Sequence, residues 1–212
     1  MSQITEAVHI PARAPASKGL SPLLVLLHGY GSHEADLTAL APHFPAEFDI
    51  VSLRAPIDLG HGGYAWVQIG VPGRPSSHGV QESAEAILEW LDTHVSLQVP
   101  SITLLGFSQG GLMTSHLIRL QPERFAAAVV LAGFVIDEPM PGDSTLAKRR
   151  PPAFFGHGDA DMVIPADATA RASAWLPAHT NLTEKSYPGL AHSVSVQELD
   201  DVTTFLRTHV LR

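Results

Sequence analysis

The chain is predicted to fold as a single α/β domain: a mostly parallel central sheet with helices on both faces. Two observations carry that expectation. Short apolar runs rich in strand formers recur at Leu23–Leu27, Ile50–Leu53, Ile102–Phe107, Ala126–Leu131, Ala153–Phe155 and, more weakly, Leu182–Tyr187. Most are separated by helix-compatible stretches, the alternation that builds parallel sheets. At 212 residues and 45% hydrophobic, the chain can bury one sizeable core, and no composition shift divides it. One domain over residues 1–212 is expected, with 1–22 a strand or loop region packed on it.

Taken in order, the first strong strand runs into His28-Gly29-Tyr30-Gly31, a turn-forming stretch. Residues 57–80 are rich in Gly and Pro and read as irregular. From Ser83 to Val95, residues Ala84, Ile87, Leu88, Leu91 and Val95 fall at helical spacing, with Glu82, Glu85, Glu89 and Asp92 on the other faces. That pattern predicts an amphipathic helix covering the sheet. A second irregular stretch spans 134–152, and its Lys148-Arg149-Arg150 triplet reads as a solvated loop. Ser195-Val196-Gln197-Glu198 has the form of a capping box, followed by Leu199, Val202, Phe205 and Leu206 at core-facing intervals. A C-terminal helix therefore closes the domain. No insertion is long enough for a separate cap.

Composition narrows the functional classes. A formal charge of −8 disfavours nucleic acid and anionic membrane surfaces, which reward basic patches. No apolar run has membrane-spanning length, and Met1–Glu6 lacks the pattern of a signal peptide, so a cytoplasmic chain without stable membrane insertion is expected. The absence of cysteine removes disulfides, thiolate metal sites and a cysteine nucleophile together.

The chemistry-bearing stretch is Gly106-Phe107-Ser108-Gln109-Gly110-Gly111, placed between the Ile102–Phe107 run and the helical pattern from Leu112 to Ile118. G-x-S-x-G between a strand and a helix is the form of a nucleophile elbow. A turn this tight brings backbone segments too close for side chains at 106 and 110, and it strains the serine itself. Ser108 is therefore a candidate nucleophile. The bland alternative is an incidental serine in a glycine-rich connection.

A nucleophilic serine needs a base for its proton and an acid to orient that base. Two loops at the expected carboxyl edge of the sheet supply them. One is Gly156-His157-Gly158-Asp159-Ala160-Asp161, and the other Tyr187-Pro188-Gly189-Leu190-Ala191-His192-Ser193. The order Ser, Asp, His is that of the α/β-hydrolases. Counting Gly, two residues, acid from Gly158 selects Asp161, which leaves Asp159 as a turn-bracing carboxylate. His157 with the two aspartates also admits a metal site, but a convincing further ligand is lacking. The other histidines carry no motif.

Together, His28-Gly29-Tyr30-Gly31, the elbow, His157-Gly158-Asp159-Ala160-Asp161 and Pro188-Gly189-Leu190-Ala191-His192-Ser193 resemble the phospholipase/carboxylesterase family, which includes the acyl-protein thioesterases. The resemblance runs from Leu24 to the C-terminus. It implies a capless α/β-hydrolase fold, no cofactor, no metal, a structural His28, and the triad Ser108, Asp161 and His192. This chain departs from the family at Met162, commonly Pro, and at Gly189-Leu190-Ala191-His192, commonly Gly-Met-Gly-His. In such a fold the oxyanion is held by the amide after the nucleophile and one from an early loop, here Gln109 and Tyr30. Gly29 and Gly31 allow that loop to fold back. Tyr64, Trp66, Val67, Phe134, Met162 and Leu190 are the candidate acyl-binding surface, Trp66 because the family's corresponding region flanks the site.

The expected activity is hydrolysis of small-molecule carboxylic esters of short to medium acyl length through an acyl-enzyme, by a monomer or homodimer. Rival readings are an acyl-protein thioesterase or lysophospholipase with the same triad, acyl transfer to an acceptor other than water, and a non-catalytic binding protein on this scaffold.

Overall fold

The computed structural model describes residues 2–14 and 20–211. Its centre is a seven-stranded sheet, built from β1 (Ala7–Ile10), β2 (Leu23–Leu27), β3 (Asp49–Leu53), β6 (Ile102–Phe107), β7 (Ala127–Leu131), β8 (Pro152–Gly158) and β9 (Asn181–Tyr187). Two further strands, β4 (Ile57–Gly60) and β5 (Gly63–Ala65), form a separate antiparallel hairpin. The spatial order is β1-β3-β2-β6-β7-β8-β9; β1 pairs antiparallel with β3, and every other pairing in the sheet is parallel.

The period-two alternation of a strand sorts the core onto two faces. On one face, Val25, Leu27, Leu104 and Ala128 pack beneath α1 (Ser77–His94) and α2 (Gln109–Leu120). Toward the β8 side of that face, Val130 and Phe155 meet Ala172 and Leu176 of α4 (Ala166–His179). On the opposite face, Leu24, Leu26, Leu105 and Val129 meet Leu199, Val202, Phe205 and Leu206 of α5 (Val196–His209), together with a 3₁₀ turn at Leu37–His43. Because both faces are covered, β2 and β7 are buried at every position and read as unbroken apolar runs. The Ser195 hydroxyl caps α5, accepting from the Glu198 amide at 3.1 Å.

Three sequence expectations need correction. Residues 57–80 are not irregular throughout: they contain the β4–β5 hairpin, and α1 begins at Ser77, upstream of the first periodic residue. Gly79 inside the first turn of α1 hides that start. Residues 134–152 contain α3 (Asp143–Arg149). Its basic triplet is solvent-exposed as expected but is a helix end and not a loop, with Arg149 donating to the carbonyls of Pro122 and Phe125 and Arg150 to those of Pro177 and Thr180. The first 22 residues contribute β1 as an edge strand, while residues 1 and 15–19 lie outside the described part.

The chain moves from β2 outward to β3, then returns across β2 to β6 and continues the other way. The strand order thus reverses between β2 and β6. In open α/β sheets the crevice at such a reversal, beyond the carboxyl ends of the strands, is where ligands bind.

Candidate active site

The elbow sits at that reversal. Ser108 takes φ 56° and ψ −115°, a left-handed backbone that costs energy for any residue with a side chain. Its neighbours enforce the turn sterically. A Cβ on Gly106 would lie 2.0 Å from the Gly110 carbonyl oxygen, and one on Gly110 only 1.8 Å from that of Leu27. The Ser108 amide donates to the Leu131 carbonyl at 2.8 Å, tying the turn to β7. The serine is 7% exposed and lines the cleft above it.

His192 lies on the loop between β9 and α5, with its Nε2 2.9 Å from the Ser108 hydroxyl and its Nδ1 2.7 Å from Asp161 Oδ2. The Phe107 ring flanks the imidazole at 4.9 Å between centroids. The other Asp161 oxygen, Oδ1, accepts from the amides of Val163 at 2.8 Å and Ile164 at 3.0 Å. Burial pushes the Asp161 carboxyl up, but the His192 hydrogen bond and these two amides outweigh it and hold the group below the usual carboxylate range. An ionised Asp161 can only accept, so the proton between them belongs to His192 Nδ1. In the neutral ring Nε2 then accepts from Ser108. Asp159 faces elsewhere: its Oδ1 takes the Gly189 amide at 2.6 Å and braces the loop that carries His192.

Tyr30 and Gln109 line the same cleft as Ser108 and His192. Among the described residues neither amide is taken up by a backbone acceptor, and that of Gln109 opens α2, where the helix dipole favours negative charge. The Gln109 side chain has a separate task that the sequence did not signal. Its Oε1 accepts from the Trp66 amide at 3.0 Å, and its Nε2 donates to the Val67 carbonyl at 2.7 Å. His28 completes this network. Its Nδ1 donates to the Gly29 carbonyl at 2.7 Å, and its Nε2 accepts from the Ala55 amide at 3.1 Å. Burial lowers the His28 pKa, consistent with this neutral tautomer.

The cleft has a volume of about 260 Å³, just under the roughly 300–1,000 Å³ of drug-sized sites. Of the six residues expected to form an acyl-binding surface, Val67 and Phe134 line it. Trp66 does not. It is fully buried beneath the site, its indole N–H donating to the His28 carbonyl at 2.8 Å, because that ring fills the core under α1. Tyr64 pairs through β5 and takes the Arg54 guanidinium over its ring. Met162 is 96% exposed outside the cleft, and Leu190 lies in the loop backing Gly158, where its carbonyl accepts from the Ala160 amide. The rest of the apolar lining comes from Ile69, Val71, Leu112, Val163 and Ile164. The apolar spacing of Val67-Gln68-Ile69-Gly70-Val71, inside a stretch set aside as irregular, was the available signal.

His157 comes within 3.4 Å of Glu184, and among the described residues no group of three or more His, Asp or Glu is placed to hold a metal ion. No described helix is long and apolar enough to cross a membrane.

An elbow serine at a strand-order reversal, with a histidine and a buried aspartate in line behind it, defines a serine hydrolase of the α/β-hydrolase class. The family model for Phospholipase/Carboxylesterase matches residues 10–210, and the chain belongs to that family. It is 28% identical to acyl-protein thioesterase 1 of Debaryomyces hansenii, with 97% of each chain covered. It is 27% identical to a probable carboxylesterase of Oryza sativa, covering 96% of this chain and 83% of the relative. Among solved structures it superposes on the crystal structure of esterase PE8 with a TM-score of 0.80 at 26% identity, covering 98% of this chain and 100% of the other. The Bacillus cereus carboxylesterase shares the fold with a TM-score of 0.81 at 19% identity, covering 96% of this chain and 94% of the other.

Proposed function

We propose that the protein is a carboxylesterase that cleaves small esters of short to medium acyl length through an acyl-enzyme on Ser108. The observation that carries this reading is His192, bonded at once to the Ser108 hydroxyl and to an Asp161 held ionised. Ser108 Oγ attacks the ester carbonyl as its proton passes to His192 Nε2, and the carbonyl electrons move onto oxygen. The Tyr30 and Gln109 amides stabilise that oxyanion, while Asp161 stabilises the imidazolium. Collapse of the intermediate breaks the bond to the alkoxy oxygen, which takes the proton from His192 and leaves as the alcohol. Water then repeats the sequence at the acyl-serine, releasing the acid and restoring Ser108. Throughout, the acyl chain occupies the apolar cleft beside Phe134 and Leu112. The enzyme works in the cytoplasm as a monomer or homodimer.

A fluorophosphonate probe tests the nucleophile directly. It should add to Ser108, identified by peptide mass, and fail to label a folded Ser108→Ala variant. Absence of labelling in the parental protein would return the fold to a binding role. Turnover of p-nitrophenyl acetate, butyrate and octanoate beside matched thioesters then fixes the acyl donor, and hydrolysis should survive EDTA. Thioesterase activity has the support of the full-length likeness to the Debaryomyces hansenii relative. A thioester preference exceeding about tenfold in kcat/KM would replace the ester reading.

A further inference from the structure

One wall of the cleft is a β-turn, Val71-Pro72-Gly73-Arg74, closed by the Arg74 amide on the Val71 carbonyl at 3.0 Å. Proline at the second position and glycine with φ 71° at the third are the residues a type II turn requires. Val71, Pro72 and Gly73 line the cleft, and so does Phe134, from the segment after β7. These two walls lie about sixty residues apart in sequence, and neither is part of a strand.

Arg171 of α4 joins them from outside. Its Nη2 donates to the Gly73 carbonyl at 2.7 Å and its Nε to the Val135 carbonyl at 2.9 Å, next to Phe134. Its side chain is only 14% exposed, and Asp167, 3.6 Å away on the same helix, balances its charge. The turn also rests directly on α4, where a Cβ on Gly73 would lie 2.9 Å from that of Ala168. A guanidinium is planar and presents its donors in a fixed fork, so two carbonyls bound by one arginine are held at a fixed separation. From this cross-tie we infer that Arg171, although outside the cleft, is a positioning residue that sets the acyl length the enzyme accepts by fixing the spacing of the two apolar walls. The inference rests on the ester-hydrolase reading above.

The spacing matters because each acyl methylene is worth up to roughly fourfold in kcat/KM only while it touches protein on both sides. A Val71–Arg74 turn held to α4 only by the exposed Arg74–Asp167 pair and its packing on Ala168 forfeits part of that contact for long chains and almost none for acetate. In Arg171→Ala, kcat/KM for p-nitrophenyl octanoate should fall about tenfold relative to acetate, through KM, with kcat for acetate and the fluorophosphonate labelling rate within about twofold of the parent. Arg171→Lys, which can reach only one carbonyl, should show a smaller loss in the same direction. If Arg171→Ala does not fold, Arg171→Lys and Arg171→Gln decide, the latter keeping part of the aliphatic stem but not the forked donors and producing the same selective loss. An octanoate-to-acetate ratio unchanged in the folded variants, or an equal drop for every ester, overturns the role of Arg171 and leaves the esterase reading standing. A parental protein that cleaves none of the esters overturns the esterase reading itself.

Discussion

Ser108, the proposed nucleophile, and the proposed acyl walls line one cleft but are held by different forces. At Ser108 the backbone has no freedom: glycines at 106 and 110 sit where no Cβ fits, and the serine amide is bonded to β7. The walls at 67–75 and at Phe134 are positioned by side chains reaching in from helices, Gln109 at Val67 and Arg171 at Gly73 and at Val135 next to Phe134. Steric exclusion tolerates no intermediate geometry, whereas a hydrogen-bonded loop can shift by fractions of an ångström at modest cost. Chemistry in this enzyme should therefore be all-or-none, and selectivity graded.

The largest expected effects test the first half of that contrast. Ser108→Ala and His192→Ala should each lower kcat/KM for p-nitrophenyl butyrate by about a thousandfold or more, and the double variant should be little worse, since the three groups act as a unit. Asp161→Asn should be nearly as damaging with an unchanged melting curve, because the imidazole loses the partner that fixes its tautomer. Asp159→Asn should instead lower the melting temperature and spare the rate. The reverse result for the two aspartates would exchange their roles.

Trp66 lies between the two regions and sharpens the boundary. Removing a fully buried indole should cost about 3–5 kcal/mol in urea unfolding. Whatever activity remains in Trp66→Ala should fall by the same factor for acetate, butyrate and octanoate, as the ring supports the His28 carbonyl and does not face the acyl chain. A loss confined to octanoate would move the ring into the binding walls.

A smaller effect comes from behind the site. Glu198 is 1% exposed at the start of α5, with Oε2 lacking a partner among the described residues. Burial, with Asp201 adding to it, pushes its pKa up to about 7 against a bond from Ser195. Between the ordinary carboxylate range and 7 the folded protein keeps a proton that the unfolded chain has released. Stability therefore falls as pH rises through that window, with the full cost present above it. Glu198→Gln should remove this slope, gaining at most about 3 kcal/mol at pH 8 relative to pH 5 in urea titrations. An unchanged slope would mean the carboxylate is satisfied as an ion.

The same division of forces explains what could be read in advance. β2, β6 and β7 were legible because burial on both faces writes them as continuous apolar runs. Ser108, Asp161 and His192 were legible as a set because each belongs to a short local pattern. The walls were not. A Pro-Gly turn carries no periodicity, and its tether Arg171 stands 98 residues away, on a helix whose sequence says nothing about that turn. Trp66 was misplaced for a related reason: its neighbourhood flanks the site, but the side chain turns inward, and only tertiary packing decides which way an aromatic points.

The last strand of the sheet carries one more consequence. β9 ends the strand order, and its far end leads through Pro188 and Gly189 to His192. An edge strand is a template on which another chain can pair, and here that edge leads, five residues on, to His192, the proposed general base. Glu184 and Lys185 stand exposed along it, paired with Ser173 and Asp201. Charges at a sheet edge make strand addition unfavourable. Resistance to aggregation and retention of activity during concentrated storage should thus be linked at this edge, through a strand whose residues stand outside the cleft lining.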